Sequence, residues 1–103
     1  MSAENISLAQ RILACVELIP VGRVMSYGDV AEYVGTRAAR NVGRVLARDG
    51  GTVPWHRVLR SDGTCAEHIR VEQLARLAAE GVPIRGERVD LAAARWDGRQ
   101  LGV

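Results

Sequence analysis

Residues Ser26 to Asp49 read SYGDVAEYVGTRAARNVGRVLARD, and this stretch decides the fold. Ser26 is a helix-capping residue, and Asp29 three positions on completes a variant of the capping box. The helix it starts, Tyr27 to Val34, places Val30, Ala31 and Val34 inward and stops at Gly35, a favoured residue just past a helix end. Thr36 is expected to cap the next helix, from about Arg37 to Asp49. Two helices joined by so short a turn predict a helix-turn-helix unit. In the second helix Ala38, Val42, Val45 and Leu46 face the core, while Arg40, Arg44 and Arg48 recur every four residues along another side. Like charges at that spacing repel and cost helix stability unless something negative lies opposite. Gly43, mid-helix, costs about 1 kcal/mol relative to alanine. That cost makes sense where another backbone must approach closely. The ridge and the glycine together point to DNA.

The charge distribution agrees. The chain has 103 residues and a net charge of only +2, with 48% apolar and 25% charged residues. Those are the proportions of an ordinary globular domain with one core. All fourteen basic residues are arginine. Residues 37–60 hold Arg37, Arg40, Arg44, Arg48, Arg57 and Arg60 against the single acid Asp49, whereas the rest of the chain is net acidic. A basic block in an otherwise acidic molecule is the footprint of a polyanion partner. No run is long and apolar enough to span a bilayer. Met1-Ser2-Ala3-Glu4-Asn5 lacks the basic-then-apolar pattern of a signal peptide, so no membrane and a cytoplasmic location are expected. Cys15 and Cys65 make no disulfide framework in such a compartment. Cys65 and His68 share a C-x-x-H spacing with no second ligand pair, so no metal is expected.

Outward from the central unit, Leu8, Ile12, Leu13 and Val16 form a helical stripe over about Ser7 to Leu18, and Ile19-Pro20-Val21-Gly22 ends it. Arg23-Val24-Met25 is extended. Asp49-Gly50-Gly51 closes the arginine-bearing helix, and Thr52 to Leu59 is expected to be extended. Within it Pro54-Trp55-His56-Arg57-Val58 sets a large flat aromatic beside polar groups. That combination suits the wall of a pocket for another flat, hydrogen-bonding molecule, though it also suits a core plug. Ser61-Asp62-Gly63 is a turn, which would make Val58 to Cys65 a wing-like hairpin. A last long helix, about Glu67 to Glu80, is expected to bury Val71, Leu74, Leu77 and Ala78. Val82-Pro83-Ile84 and Val89-Asp90-Leu91 are short tail segments, and Leu91 to Trp96 a closing helical turn. The fold class predicted is mostly α with short β segments, a winged helix-turn-helix-like single domain over 1–103 with its core at about 8–82 and a short C-terminal tail.

Five motifs follow in order: Ile19-Pro-x-Gly-x-Val24, Ser26-Tyr27-Gly28, Ala38-Ala39-Arg40-x-Val42-Gly43, Pro54-x-His56-Arg57-Val58 and Glu80-Gly81. Together they resemble the C-terminal domain of the O6-alkylguanine-DNA alkyltransferases, over residues 8 to about 82. One position departs decisively. The nucleophilic cysteine of that family lies between the proline and the histidine, and here the position is Trp55. The chain therefore resembles the alkyltransferase-like branch, which keeps the lesion pocket and loses the transfer chemistry.

The resemblance implies a non-enzymatic protein, with no catalytic residue, cofactor or metal, that binds O6-alkylguanine in duplex DNA and marks it for nucleotide excision repair. The implied partners are double-stranded DNA containing O6-alkylguanine and nucleotide excision repair proteins, met by a monomer. Arg40 would fill the gap left by the extruded nucleotide, and Tyr27 would press on the phosphate at the target. Gly43 would seat the helix in the minor groove, with Asn41 and Arg44 completing the DNA contacts. Tyr27, Trp55, His56, Arg57, Val58 and His68 would form the lesion pocket, backbone groups at Trp55 and Val58 holding the guanine edge. The histidine–glutamate relay of the enzymes corresponds to His56 and Glu80, expected here as a buried hydrogen-bonded strut. After Gly63 the enzymes carry a Gly-Tyr-Ser-Gly-type loop. This chain has Thr64-Cys65-Ala66-Glu67-His68, so His68 or Arg70 is the alternative at the pocket mouth. The competing class is a small winged-helix transcription regulator reading the major groove.

Overall fold

The computed structural model describes residues 7–99. Met1–Asn5, read above for the absence of a signal sequence, lie outside the described residues. The elements are α1 (Leu8–Leu18), β1 (Met25–Ser26), α2 (Tyr27–Val34), α3 (Ala39–Asp49), β2 (Val58–Leu59), α4 (Arg70–Ala79), β3 (Ile84–Arg85), β4 (Arg88–Val89) and α5 (Leu91–Ala94). Short 3-10 turns at Gly50–Thr52, Trp55–Arg57 and Glu67–Ile69 connect them. The protein is mostly helical with short strands, built on a helix-turn-helix. No helix among the described residues is long and apolar enough to cross a membrane.

Local chemistry sets the helix ends. Ser7 and Gln10 form a full capping box on α1, and Ser26 and Asp29 form another on α2. At the far end of α2 the Thr36 amide bonds the Ala31 carbonyl at 2.9 Å, which closes a Schellman-type cap. Thr36 does not cap α3 as expected. Its hydroxyl accepts from the Ala38 amide at 3.3 Å, ahead of the helix, and Ala38 occupies the cap position with no side-chain bond.

Two cores meet at the β1–β2 pair. These strands run parallel, Met25 opposite Val58 and Ser26 opposite Leu59. Strand alternation sends Met25 and Val58 into a core with Ile12, Val16, Val30, Val42 and Val45 from α1–α3. Val24 and Leu59 turn the other way, to Leu77, Val82, Val89 and Ala94.

Four expectations are corrected. Thr52 to Leu59 is not extended, because two 3-10 turns precede the two-residue strand. Val58–Cys65 is not a strand hairpin, since β2 pairs with β1; the loop is closed by Arg60 N–H to Thr64 O at 3.0 Å. In α4 Val71 is 85% exposed and Ala78 is exposed, while Leu77 and Gln73 are buried with Leu74 beside them. The segment past residue 82, read as a short tail outside the core, contributes Val89, Ala94 and Trp96 to the cores. The Val24 amide bonds Ala94 O at 3.0 Å, the Trp96 amide bonds Val24 O at 2.8 Å, and Trp96 joins the first core. Arg95 adds an ion pair to Asp29, tying this segment to the cap of α2.

Candidate nucleic-acid interface and base pocket

Arg40 and Arg44 stand exposed on α3, and neither has a carboxylate within ion-pair distance among the described residues. Arg48 differs: it bonds its neighbour Asp49 at 2.9 Å. The repulsion built into the first turns of α3 thus has no internal counter-charge. Gly43 faces Tyr27, whose Cε1 would lie 4.0 Å from an added Cβ, an ordinary contact. Packing within the protein therefore does not require glycine there. Asn41, half-buried, bonds through its amide to Ala38 O at 2.9 Å and closes the first turn of the helix.

Tyr27 is half-buried at the start of α2 and lines a hollow of about 450 Å³ with Gly28, Ala39, Arg60, Ser61 and Asp62. Burial pushes its phenol pKa up, with Arg60 opposing, so the hydroxyl stays a hydrogen-bond donor at neutral pH. Trp55, His56, Val58 and His68 do not line this hollow. His68 is exposed on the 3-10 turn before α4. Arg70 bonds Glu87 at 2.9 Å and borders a separate cavity with Arg60 and Cys65.

The Pro54–Val58 segment is built around Glu80. The His56 Nε2 nitrogen lies 2.7 Å from Glu80 Oε2, and the Arg57 guanidinium reaches the same carboxylate from Nη2 at 2.8 Å and from Nε at 3.0 Å. Arg57 Nη1 also donates to Ile19 O at 2.9 Å. The fourth contact comes from the turn after α1, where the Gly22 amide donates to Glu80 Oε1 at 3.1 Å. Gly22 has φ +83 and would bring a Cβ to 3.3 Å from Glu80 O, so only glycine fits this approach without strain. Burial raises the Glu80 pKa, but bonds from Arg57, His56 and Gly22 outweigh it and hold the carboxyl at about 2. A carboxylate can only accept, so His56 must carry its proton on Nε2. Its Nδ1, buried, has no hydrogen-bond partner among the described residues.

Trp55 is half-buried. Its ring meets the His56 ring edge-on at 6.2 Å, and the Arg76 guanidinium sits 5.5 Å from its centroid. That cation–π contact is steadied by Glu72, which accepts from Arg76 at 2.7 Å across one turn of α4. Gln73 supports the same segment from within: its Nε2 donates to His56 O at 3.0 Å and Val58 O at 2.7 Å. The Trp55 carbonyl accepts from the Val58 amide. Of the backbone groups expected to hold a guanine edge, the Trp55 and Val58 carbonyls are thus each engaged in one hydrogen bond within the protein. Sequence reasoning missed Gln73, Arg76 and Arg95. The Glu72–Arg76 spacing was visible as a helical ion pair; nothing local marked Gln73 as buried. Both thiols are buried as well. Burial pushes Cys15 up to about 11 and Cys65 above its usual value, with Arg70 and Arg60 only partly opposing.

An exposed arginine ridge on the second helix of a helix-turn-helix, flanked by a hollow under Tyr27, defines a DNA-binding class of domain. Residues 7–82 match the family described as 6-O-methylguanine DNA methyltransferase, DNA binding domain, and the chain belongs to that family. It is 44% identical over 98 residues, 88% of this chain and 75% of the other, to the DNA base-flipping protein of Escherichia coli strain K12. It is 41% identical over 73 residues, 64% of this chain and 68% of the other, to alkyltransferase-like protein 1 of Schizosaccharomyces pombe. The crystal structure of S. pombe Atl1 in complex with damaged DNA containing O6-carboxymethylguanine superposes with TM-score 0.78 at 31% identity, covering 93% of this chain and 98% of that one.

Proposed function

We propose that this protein is a non-enzymatic reader of O6-alkylguanine in duplex DNA. It approaches through the minor groove, turns the base out of the stack, holds it beside Trp55 and marks the site for nucleotide excision repair. One observation carries the reading: the His56–Glu80 pair is fully assembled, and the side chain next to it is an indole. Where the enzymes need a thiol, an indole offers apolar contact and nothing that accepts an alkyl group. Neither cysteine replaces it, because both are buried with raised pKa values.

Extruding a base costs a few kcal/mol, least where pairing is already weak. O6-alkylation removes the N1 proton of guanine and weakens its pair with cytosine, so the lesion is cheaper to flip. Arg40 fills the vacated space, Tyr27 and Arg44 engage the backbone, and Trp55 contributes about 1–3 kcal/mol by contact with the base. His56, Arg57 and Glu80 act as a strut beneath the pocket.

The test is a titration of duplexes with and without one O6-methylguanine, paired with intact-mass measurement. At least a tenfold preference for the lesion, about 1.4 kcal/mol, and an unchanged protein mass are expected. Equal affinities would remove lesion recognition and favour a transcription regulator; an alkyl-sized mass gain would make the protein an acceptor. Gly43 supplies a second check with effects of opposite sign. Gly43→Ala is expected to stabilise the free protein by about 1 kcal/mol, since the site has room for a methyl group. The same methyl should weaken duplex binding by holding α3 off the DNA. A melting curve and a binding curve on one preparation check both halves.

A further inference from the structure

The two-stranded hairpin of this protein lies at Ile84–Val89, past residues 7–82 where the family match ends. It is fixed firmly in place. The Val89 amide bonds Gly63 O at 2.9 Å, Thr64 bridges to Arg88, Glu87 bonds Arg70 at 2.9 Å, and Val89 is buried in the second core. Gly63, at φ +86, lies so close to Val89 O that no side chain fits between them. The hairpin therefore docks on the loop 60–64, whose Ser61 and Asp62 border the Tyr27 hollow on one side. On the other side the same two residues border a hollow of about 440 Å³ with Arg85, Arg88 and Asp90.

Arg85 and Arg88 are directly opposite each other in the hairpin ladder. Like charges so placed destabilise a strand pair. Both are exposed, and neither has a carboxylate within ion-pair distance among the described residues. The acids around them are already engaged. Asp62 accepts from Thr64 through its amide at 3.0 Å and its hydroxyl at 2.6 Å, Asp90 caps α5 by accepting from Ala93, and Glu87 is held by Arg70. Like the ridge on α3 one loop away, the hairpin pair makes no direct ion pair among the described residues, and Asp62 meets Arg88 only through space. Asp62 and Asp90 keep this flank too near neutrality to hold a small free anion well. A polyanion already seated on α3 meets the two guanidiniums without a second association cost.

Resting on the DNA-binding reading above, we propose that the β3–β4 hairpin is a second contact to the duplex, in which Arg85 and Arg88 each neutralise a backbone phosphate beside the target site. The contact reads charge, not the lesion. The test is the salt dependence of binding, for a duplex with one O6-methylguanine and for its unmodified counterpart. Each phosphate contact adds about 0.9 to the slope of log affinity against log salt. The double variant R85A/R88A is expected to be shallower by about 2 on both duplexes, with the lesion-to-normal ratio unchanged. R85K/R88K should keep the slope, and the alanine variant should melt no lower than the wild type, since a repulsion is removed. An unchanged slope would overturn the proposal, as would a collapse of the lesion ratio at constant slope. Failure of the wild type itself to bind duplex would instead overturn the DNA-binding reading along with it.

Discussion

Truncating Arg40 to alanine is expected to weaken binding to a duplex carrying one O6-alkylguanine by about 30- to 100-fold while leaving the fold intact. The second half follows from exposure. Arg40 is on the outer face of α3 with no ion-pair partner among the described residues, so its removal should change stability by less than about 0.5 kcal/mol. The first half follows from its proposed place in the gap left by the base. A guanidinium desolvated at the centre of an interface is the kind of anchor whose loss costs about 2–3 kcal/mol. Unmodified duplex should lose only the share due to one phosphate contact, and R40K should recover charge but not the flat stacking surface. Anisotropy titrations on both duplexes measure this. Unchanged lesion affinity in R40A would remove the intercalating role.

The second large effect is on stability. Glu80→Gln is expected to destabilise the protein by about 3 kcal/mol, because it leaves the largely buried Arg57 guanidinium without its counter-charge. The same carboxylate gathers His56, Arg57 and the Gly22 turn, so its loss loosens α1, the Trp55 segment and α4 together. The pH dependence is fixed in sign. Glu80 titrates near 2 in the folded protein against its ordinary 4.5, so between those values the unfolded state binds more protons. Its contribution is therefore complete above about pH 4.5 and lost as pH falls through 2. Urea melts from pH 2 to 7 should show that loss in the wild type and a flatter curve in E80Q. A parallel shift of both curves would mean that Glu80 does not carry the ion pair.

These two residues mark the boundary between what was legible in sequence and what was not. The helix-turn-helix could be read because its signals are local. Ser26 and Asp29 bond each other's backbone within one turn, Gly35 stops α2, and Val42 and Val45 recur at helical spacing. The arginines of α3 were legible for the same reason, because spacing on a helix dictates which side chains share a face.

Where the partner lay far along the chain, the reading failed unless a family motif joined the two, as it did for His56 and Glu80. The apolar run before Leu59 fits a strand by composition, yet only β1, more than thirty residues earlier, was there to pair with it, and for two residues only. Periodicity put Val71 in the core because it scores hydrophobicity alone. The structure buries Gln73 instead, since two carbonyls of the Trp55 segment needed a donor. Trp96 joined the first core through a parallel bridge between Val24 and Arg95 that no window spanning neighbours could foresee. The sequence by itself determined the helices, their caps and the charge they carry, because those interactions close within a few residues. Only the tertiary structure decided that Arg57 and Gly22 join His56 around Glu80, which side of α4 is buried and where the hairpin lies, because each depends on groups brought together from distant parts of the chain.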